Sequence, residues 1–402
     1  MAALTPEEHY IRIVDETLNE RVDFDGDWDL IGLSMMTTQA SRCYKIADEF
    51  RRRGIKVVAG GYHASVLPDE ALRHCDAVCI GEGEKVWQQM LIDAERGNLK
   101  QRYFADTLTD LKDVPWPKRS LVRDKRFGVK NFVQTTRGCP NQCSFCTIIK
   151  FFGHTYRLRP VDDVIEEIKY LKRTRQLKWN TVFFSDDNIC GDPEYARELF
   201  TKLIPLKVNW GSQCFINIAK DEGLVELARE SGCKALAIGL ESLSVSSLQQ
   251  ANKNAGTVEW YSQAIKMLHK HKIAVFGLFI FGFDADEKNV FEDTKKFVED
   301  NCLEYAMFSV LTPMPGTIFY TQYKENGRLL HENWADYDFQ HVVFTPKNMT
   351  AQELQDGRYN TAKSIHTWRS IFKRIVGAKS NFWFPLLMNI GLKRLYHHLP
   401  KI

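Results

Sequence analysis

No stretch of the 402-residue sequence approaches the roughly 18–20 uninterrupted apolar residues that a membrane span requires. The amino end, Met1 to His9, lacks the basic and apolar regions of a secretory signal. Charge of one sign is also scarce. Lys+Arg at 54 against Asp+Glu at 51 leaves a formal +3, too small an excess for a dedicated nucleic-acid binder. There is no internal repeat or low-complexity tract. With 44% hydrophobic residues, 24 Gly and 13 Pro, the composition argues against a disordered or fibrous chain. The length implies two or three domains. The ten cysteines are accordingly expected in a reducing cytoplasm, where a tight group points to metal or redox chemistry rather than disulfides.

The first hundred residues alternate apolar runs with helical patterns. Tyr10–Val14, Asp29–Ser34, Ile55–Ala59 and Ala77–Ile80 read as strands, and Ala40–Arg53 and Pro68–Arg73 as helices. Val- and Ile-rich strands separated by helices predict a parallel sheet covered on both faces. Ligands sit at the carboxyl edge of such a sheet, which here carries Ser34, Thr37, Gly60, Gly61, His63, Gly81, Glu82 and Gly83. A polar stretch from Gln101 to Lys125, with Pro115 and Pro117, reads as a linker. A second series follows. Its strands are Phe127–Thr135, Thr181–Ser185, Val208–Ile216, Ala235–Leu240, Ile273–Phe281 and Tyr305–Leu311. Six β/α steps suit a partial barrel better than a complete eight-fold one. The expected division is residues 1–105, a linker over 106–125, a partial barrel over 126–320, and a helical, aromatic and basic extension over 321–402.

The sharpest signal is Arg137-Gly-Cys139-Pro-Asn-Gln-Cys143-Ser-Phe-Cys146. Three thiols within eight residues, just after the first strand of a β/α series, can converge on one metal centre. Structural zinc normally takes four ligands, and no matching pair lies nearby. Three thiolates on a 4Fe–4S cube would leave one iron open to a substrate or cosubstrate. The alternatives are a zinc knuckle completed by Cys190 or Cys214, or cysteines that only pack a core.

From Phe127 to Thr317 the sequence resembles the radical S-adenosylmethionine enzymes, whose cluster loop has the spacing Cys139-x-x-x-Cys143-x-x-Cys146. The resemblance implies that these thiols bind a 4Fe–4S cluster and that S-adenosylmethionine chelates the open iron. Phe145 then matches the aromatic near the adenine. Gly239, Glu241 and Ser242 match the strand end that contacts the ribose and methionyl parts, and Gly277 to Gly282, including Ile280, the stretch along the adenine. The second strand ends in Ser185-Asp186-Asp187-Asn188 rather than Gly-Gly-Glu. The resemblance therefore offers Asp186 and Asp187 for the methionyl amine without choosing between them.

The amino-terminal part resembles the Rossmann-like cobalamin-binding domain that precedes many of these enzymes. Gly32-Leu33-Ser34, Val57 to His63, Leu67 to Glu70 and Gly81-Glu82-Gly83-Glu84 carry the match. The Asp-x-His-x-x-Gly motif that supplies a cobalt-ligating histidine elsewhere is absent, so the resemblance makes His63 a loop residue lining the corrin cleft rather than a ligand. The first strand of the domain is expected to be missing.

The expected activity follows from the resemblance: a 5′-deoxyadenosyl radical abstracts hydrogen from an unactivated carbon, and cobalamin carries the methyl group that replaces it. The expected substrate is a small or lipid-like molecule, and the reductant a flavodoxin- or ferredoxin-type protein. Competing readings are cyclisation or rearrangement without methyl transfer, a corrin-free enzyme, and a structural iron–sulfur or zinc protein. Residues 341–350 and the tail, with Trp368, Phe372, Trp383 and Tyr396, resemble the extension of lipid-modifying members. Either a helical cap on the barrel or a membrane-facing helix would account for them. The expected location is cytoplasmic, with peripheral membrane contact through this tail in the second case.

Overall fold

The computed structural model describes residues 1–122, 131–253, 256–380 and 383–398. Its first sheet is parallel throughout and comprises β1 (Leu30–Ser34), β2 (Lys56–Gly60), β3 (Ala77–Ile80) and β4 (Arg102–Phe104), in that order. Between them lie α1 (Ala40–Arg52), α2 (Tyr62–Val66), α3 (Pro68–His74) and α4 (Trp87–Glu95). One face, with Val57, Ala59 and Val78, packs on the buried side chains of α1. The other, with Val58, Ala77 and Cys79, packs on Met90 of α4.

Two expectations need correction here. Tyr10–Val14 is not a strand. Tyr10 is 83% exposed and stacks on Trp28, while Arg12 pairs with Asp23 at 3.1 Å, so side chains rather than a backbone ladder hold this segment. β4 lies at the start of the polar stretch read as linker. Only Tyr103 of its three residues is buried, too little to leave a periodic signal.

The second sheet is an open six-stranded parallel half-barrel. Its strands, in sequence order, are β5 (Phe132–Val133), β8 (Thr181–Phe184), β9 (Asn209–Cys214), β10 (Cys233–Glu241), β11 (Ala274–Phe281) and β12 (Tyr305–Val310). Phe127–Thr135 was expected as one strand; its part from 127 to 130 lies outside the described residues, and the rest pairs only at Phe132–Val133. Between β5 and β8 sits an antiparallel pair that the sequence pattern does not reveal, β6 (Thr136–Gly138) and β7 (Tyr156–Leu158), with α5 (Thr147–Phe152) in the excursion between them.

Helices α6 (Val161–Arg173), α7 (Pro193–Leu203), α8 (Glu222–Glu230), α9 (Val245–Gln250), α10 (Val258–Lys270) and α11 (Val290–Asp300) cover the convex side. In α6 the stripe Val161, Val164, Ile165, Ile168 and Leu171 is buried, each side chain contributing about 1.5–3 kcal/mol. Asp192, Asp221 and Thr257 cap α7, α8 and α10 through backbone N–H groups. On the convex face Trp210 meets Phe200 at 4.9 Å and Phe281 meets Phe291 at 5.0 Å. The other parity of each strand is less buried and lines the concave side: Gly211, Gln213, Ala237, Gly239, Leu278, Ile280, Met307 and Ser309.

The carboxyl-terminal part forms α12 (Ile318–Glu325), α13 (Ala351–Ile365), α14 (Trp368–Ala378) and α15 (Trp383–His398). α13 packs on β12 and α11. Arg374, fully buried, donates to the carbonyls of Leu303 at 2.7 Å and Glu304 at 3.0 Å, just before β12. α14 thus closes the amino-terminal end of the half-barrel, opposite the carboxyl ends of its strands. The tail is a helical cap, yet Trp368 and Phe372 remain exposed. No helix among the described residues is long and apolar enough to cross a membrane.

Candidate active site

The thiol loop is built by β6 and β7. Gly138 ends β6 at φ +90°, and a Cβ there would stand 2.1 Å from the Thr155 carbonyl, so only glycine lets the two ends of the excursion meet. Cys139 follows directly, and Cys146 precedes the first residue of α5. The loop is laced from outside: Ser144 N–H donates to the Ala251 carbonyl at 2.9 Å, and Asn252 Nδ2 to the Gln142 carbonyl at 2.8 Å.

All three thiols are partly exposed. Burial pushes Cys143 up to about 11 and Cys146 up to about 12, and both feel Cys139. Cys143 and Cys146 therefore rest protonated and lose protons to a metal centre. Cys190 instead hydrogen-bonds Cys214 and lies near Cys233, and its thiol is pushed well up. Neither Cys190 nor Cys214 completes a knuckle with the loop. Among the described residues no three His, Cys, Asp or Glu side chains gather around one metal ion. The donor set of three accessible thiols beside an open concave face fits an iron–sulfur cluster.

The strand ends facing the loop divide into two groups. Asp186, buried, accepts from Thr135 N and Oγ1 at 2.8 and 2.9 Å and from Thr136 N and Oγ1 at 2.5 and 3.0 Å. It anchors the turn that leads into the thiol loop and has no free face for a ligand. Asp187 is half-buried and near Cys146; burial raises its carboxyl to about 6, against a hydrogen bond from Gly138. Glu241 adopts φ +60°, a rare conformation for a residue with a side chain, and β10 shifts register there. Its Oε1 accepts from Lys253 Nζ at 2.6 Å, and Lys253 also lies 4.8 Å from the Phe215 ring centroid. A Cβ on Gly239 would fall 2.4 Å from Glu241 Oε1 and 2.9 Å from Lys253 Nζ, so this glycine makes room for the pair. Ser242 is buried and receives Ser244 N–H at 3.1 Å.

Ile280 shares the concave side with Gly239, and Phe145 packs edge-on against Phe283 at 6.5 Å. The bare side of Gly277 meets Leu303 and Phe279 on the convex face. Lys253 and Arg137 were not singled out from sequence; neither sits on a periodic pattern.

At the first sheet, Gly32 and Ser34 are exposed, Gly60 lies beside Ser34 in register, and a Cβ on Gly81 would meet no atom within 4 Å. This side-chain-poor edge fits a flat corrin. The other expected cleft residues have internal duties. Gly61, at φ +88°, lets its backbone approach Met35, whose oxygen would be 2.8 Å from a Cβ. His63 is fully buried, with Nδ1 3.3 Å from Thr37 Oγ1 and Nε2 3.3 Å from Glu70 Oε1, and Thr37 is buried with it. His63 therefore neither lines a cleft nor reaches a metal. Gly83 faces Met1 and Cys79. Glu82 is buried between Arg137 and Arg157.

The two edges meet through α2 and α5. Tyr62 donates to the Pro315 carbonyl at 2.6 Å, and Gly316, at φ +85°, is pressed against Val66 and Lys150. A corrin-type sheet held against a half-barrel that presents three thiols at its first strand defines a radical S-adenosylmethionine enzyme with a cobalamin domain.

The comparisons with known proteins agree. Residues 133–298 match the radical SAM superfamily and residues 9–91 the B12 binding domain. The chain is 34% identical to the bacteriochlorophyllide d C-12(1)-methyltransferase of Chlorobaculum tepidum, over 98% of this chain and 88% of that protein. It is 31% identical to the C-8(2)-methyltransferase of the same organism, over 93% and 86%. The fold is similar to that of the radical S-adenosylmethionine methyltransferase TsrM from Kitasatospora setae, solved with cobalamin and a [4Fe-4S] cluster, with a TM-score of 0.68, 15% identity, and 93% and 89% coverage. The chain belongs to the radical SAM superfamily, in the branch that carries a B12 binding domain. It is an enzyme whose cofactors are a 4Fe–4S cluster, S-adenosylmethionine and cobalamin.

Proposed function

We propose that this enzyme methylates an unactivated carbon on a small molecule, with a bacteriochlorophyllide-type tetrapyrrole as the substrate class. The similarity to two bacteriochlorophyllide methyltransferases along nearly the whole chain carries the reading. The concave face supports it: Gly211, Ala237 and Ser309 are small, Leu278, Ile280 and Met307 apolar, a lining suited to a broad, flat, largely apolar molecule. When bound, the cofactors supply a carbon-centred radical and a transferable methyl group.

The residues divide the remaining work. Cys139, Cys143 and Cys146 hold the cluster. Lys253 is placed to take the methionyl carboxylate, Asp187 the methionyl amine, and Glu241 the ribose hydroxyls, since these charges face the thiol loop. Phe145 and Ile280 supply apolar surface for the adenine. Ser34, Gly60 and Gly81 carry the corrin. A small flavodoxin- or ferredoxin-type protein supplies electrons.

The tail gives a second, independent element. From Gly357 to Ile402 the sequence has nine Lys or Arg and no Asp or Glu. On α14, Trp368, Phe372 and Val376 form an exposed apolar stripe at i, i+4 and i+8, beside exposed Arg369 and Lys373. Such a face suits peripheral contact with an anionic membrane.

The test is anaerobic reconstitution with all three cofactors and a bacteriochlorophyllide, followed by mass spectrometry. A product heavier by one methyl group, lost together with 5′-deoxyadenosine in Cys143→Ala, is expected. Formation of 5′-deoxyadenosine with substrate consumed but no methyl gained would overturn methyl transfer.

A further inference from the structure

One carboxylate joins the two halves of the molecule. Glu82, just past β3, accepts from Arg137 Nη1 at 2.8 Å, from Arg157 at 2.7 and 2.8 Å, and from Thr109 N–H at 2.9 Å. Glu84 takes a further hydrogen bond from Arg137 at 2.8 Å. Arg137 and Arg157 are register partners on β6 and β7, the ladder from which the thiol loop projects. Glu82 therefore grips both strands of that ladder from the corrin side. Its side chain is 4% exposed and that of Arg137 10%. Arg137 also stacks over Phe152 at the end of α5, at 5.6 Å.

A buried charge network is a poor device for stability alone, because apolar side chains of similar volume do as well without desolvating charges. Its strength is direction: two-pronged guanidinium–carboxylate contacts fix angle as well as distance. Further fixed points between the two halves are Tyr62 on the Pro315 carbonyl at 2.6 Å and Trp334 Nε1 on Glu70 at 2.7 Å. Contacts at separate points along the seam oppose pivoting of one half on the other. Transfer between two sites is steeply sensitive to their separation, with about 1 Å of misplacement costing on the order of a hundredfold.

We propose that Glu82 is a positioning residue: with Arg137 and Arg157 it sets the angle and separation between the corrin edge and the thiol loop, so that a substrate carbon between them is within reach of both. This rests on the methyl-transfer reading above.

The test uses the full-length holoenzyme in four forms: wild type, Glu82→Gln, Arg157→Met and the charge-retaining Arg157→Lys. Iron and corrin content should match in all of them. The first readout needs no turnover: broadening of the cob(II)alamin EPR signal by the reduced cluster. It should change in Glu82→Gln and Arg157→Met, and also in Arg157→Lys, which keeps the charge but loses the two-pronged contact. The second is 5′-deoxyadenosine formed per methylated product, which should rise at least tenfold in Glu82→Gln. Unchanged broadening and an unchanged ratio would overturn the proposal. So would loss of iron and corrin from the variants, which would show that the network only holds the fold. If wild type itself transfers no methyl, the functional reading fails, and the EPR comparison still decides the positioning role.

Discussion

Lys253 Nζ lies 2.6 Å from Glu241 Oε1, and both charges sit beside Cys143 on the concave side of the half-barrel. The pair depends on a backbone feature, the left-handed conformation of Glu241, and on the missing side chain of Gly239. A strained residue whose charge points at the thiol loop is best explained by ligand binding. Replacing Lys253 by Met leaves a buried carboxylate unpaired, at about 3–5 kcal/mol. We expect the affinity for S-adenosylmethionine, measured by equilibrium dialysis on cluster-loaded protein, to fall at least tenfold, about 1.4 kcal/mol. Unchanged affinity would restrict Lys253 to pairing with Glu241.

Gly138→Ala places a methyl group against the Thr155 carbonyl in a conformation that side chains disfavour. The expected cost is about 2–4 kcal/mol, concentrated in the β6–β7 ladder. Iron per chain should drop more than corrin absorbance, because this turn carries the thiol loop directly, whereas the first sheet reaches the ladder only through Glu82 and Glu84. Equal loss of both cofactors would contradict that separation.

Glu82 also makes a pH prediction. Burial alone would raise its carboxyl, but hydrogen bonds from Arg157 and Arg137 outweigh this and hold it at about 2. Because the folded value lies below the ordinary one, its stabilisation is present above about pH 4–5 and is lost as pH falls toward 2. Denaturant midpoints for wild type and Glu82→Gln should differ by the equivalent of about 2–3 kcal/mol near pH 7. The gap should narrow steadily below pH 4. A gap independent of pH would mean that the glutamate acts by shape.

The α14 stripe can be tested with vesicles. Wild type should co-sediment with phosphatidylcholine vesicles containing phosphatidylglycerol and not with phosphatidylcholine alone. Trp368→Glu with Phe372→Glu should reduce binding at least tenfold, and added salt should weaken it in wild type. Equal binding to both vesicle types would remove the role of charge.

Much of this was legible in the sequence, for identifiable reasons. Strands such as Ile55–Ala59 and Ile273–Phe281 carry their own apolar signal, and the three thiols lie within one loop. Other features depend on distant partners. Glu82 read as a cleft residue because its motif ends a strand, and only the fold brings Arg137 and Arg157 to it. His63 likewise follows two glycines at a strand end, yet Thr37, Glu70 and Trp334 enclose it. Lys253 stands twelve residues beyond Glu241, and only the short helix α9 between them, with the turn after it, folds it back. Tyr10–Val14 has strand-forming residues but no neighbour to pair with, and composition cannot report a missing neighbour.

The contact of Gly316 with Val66 and Lys150 constrains how such enzymes can be recombined. Val66 of α2 and Lys150 of α5 close with their side chains on the backbone of the 311–317 turn, so a chimera that exchanges the amino-terminal module alone would inherit a mismatched seam. Grafts should carry all three segments together, since the seam between modules is cut to the width of a residue without a side chain.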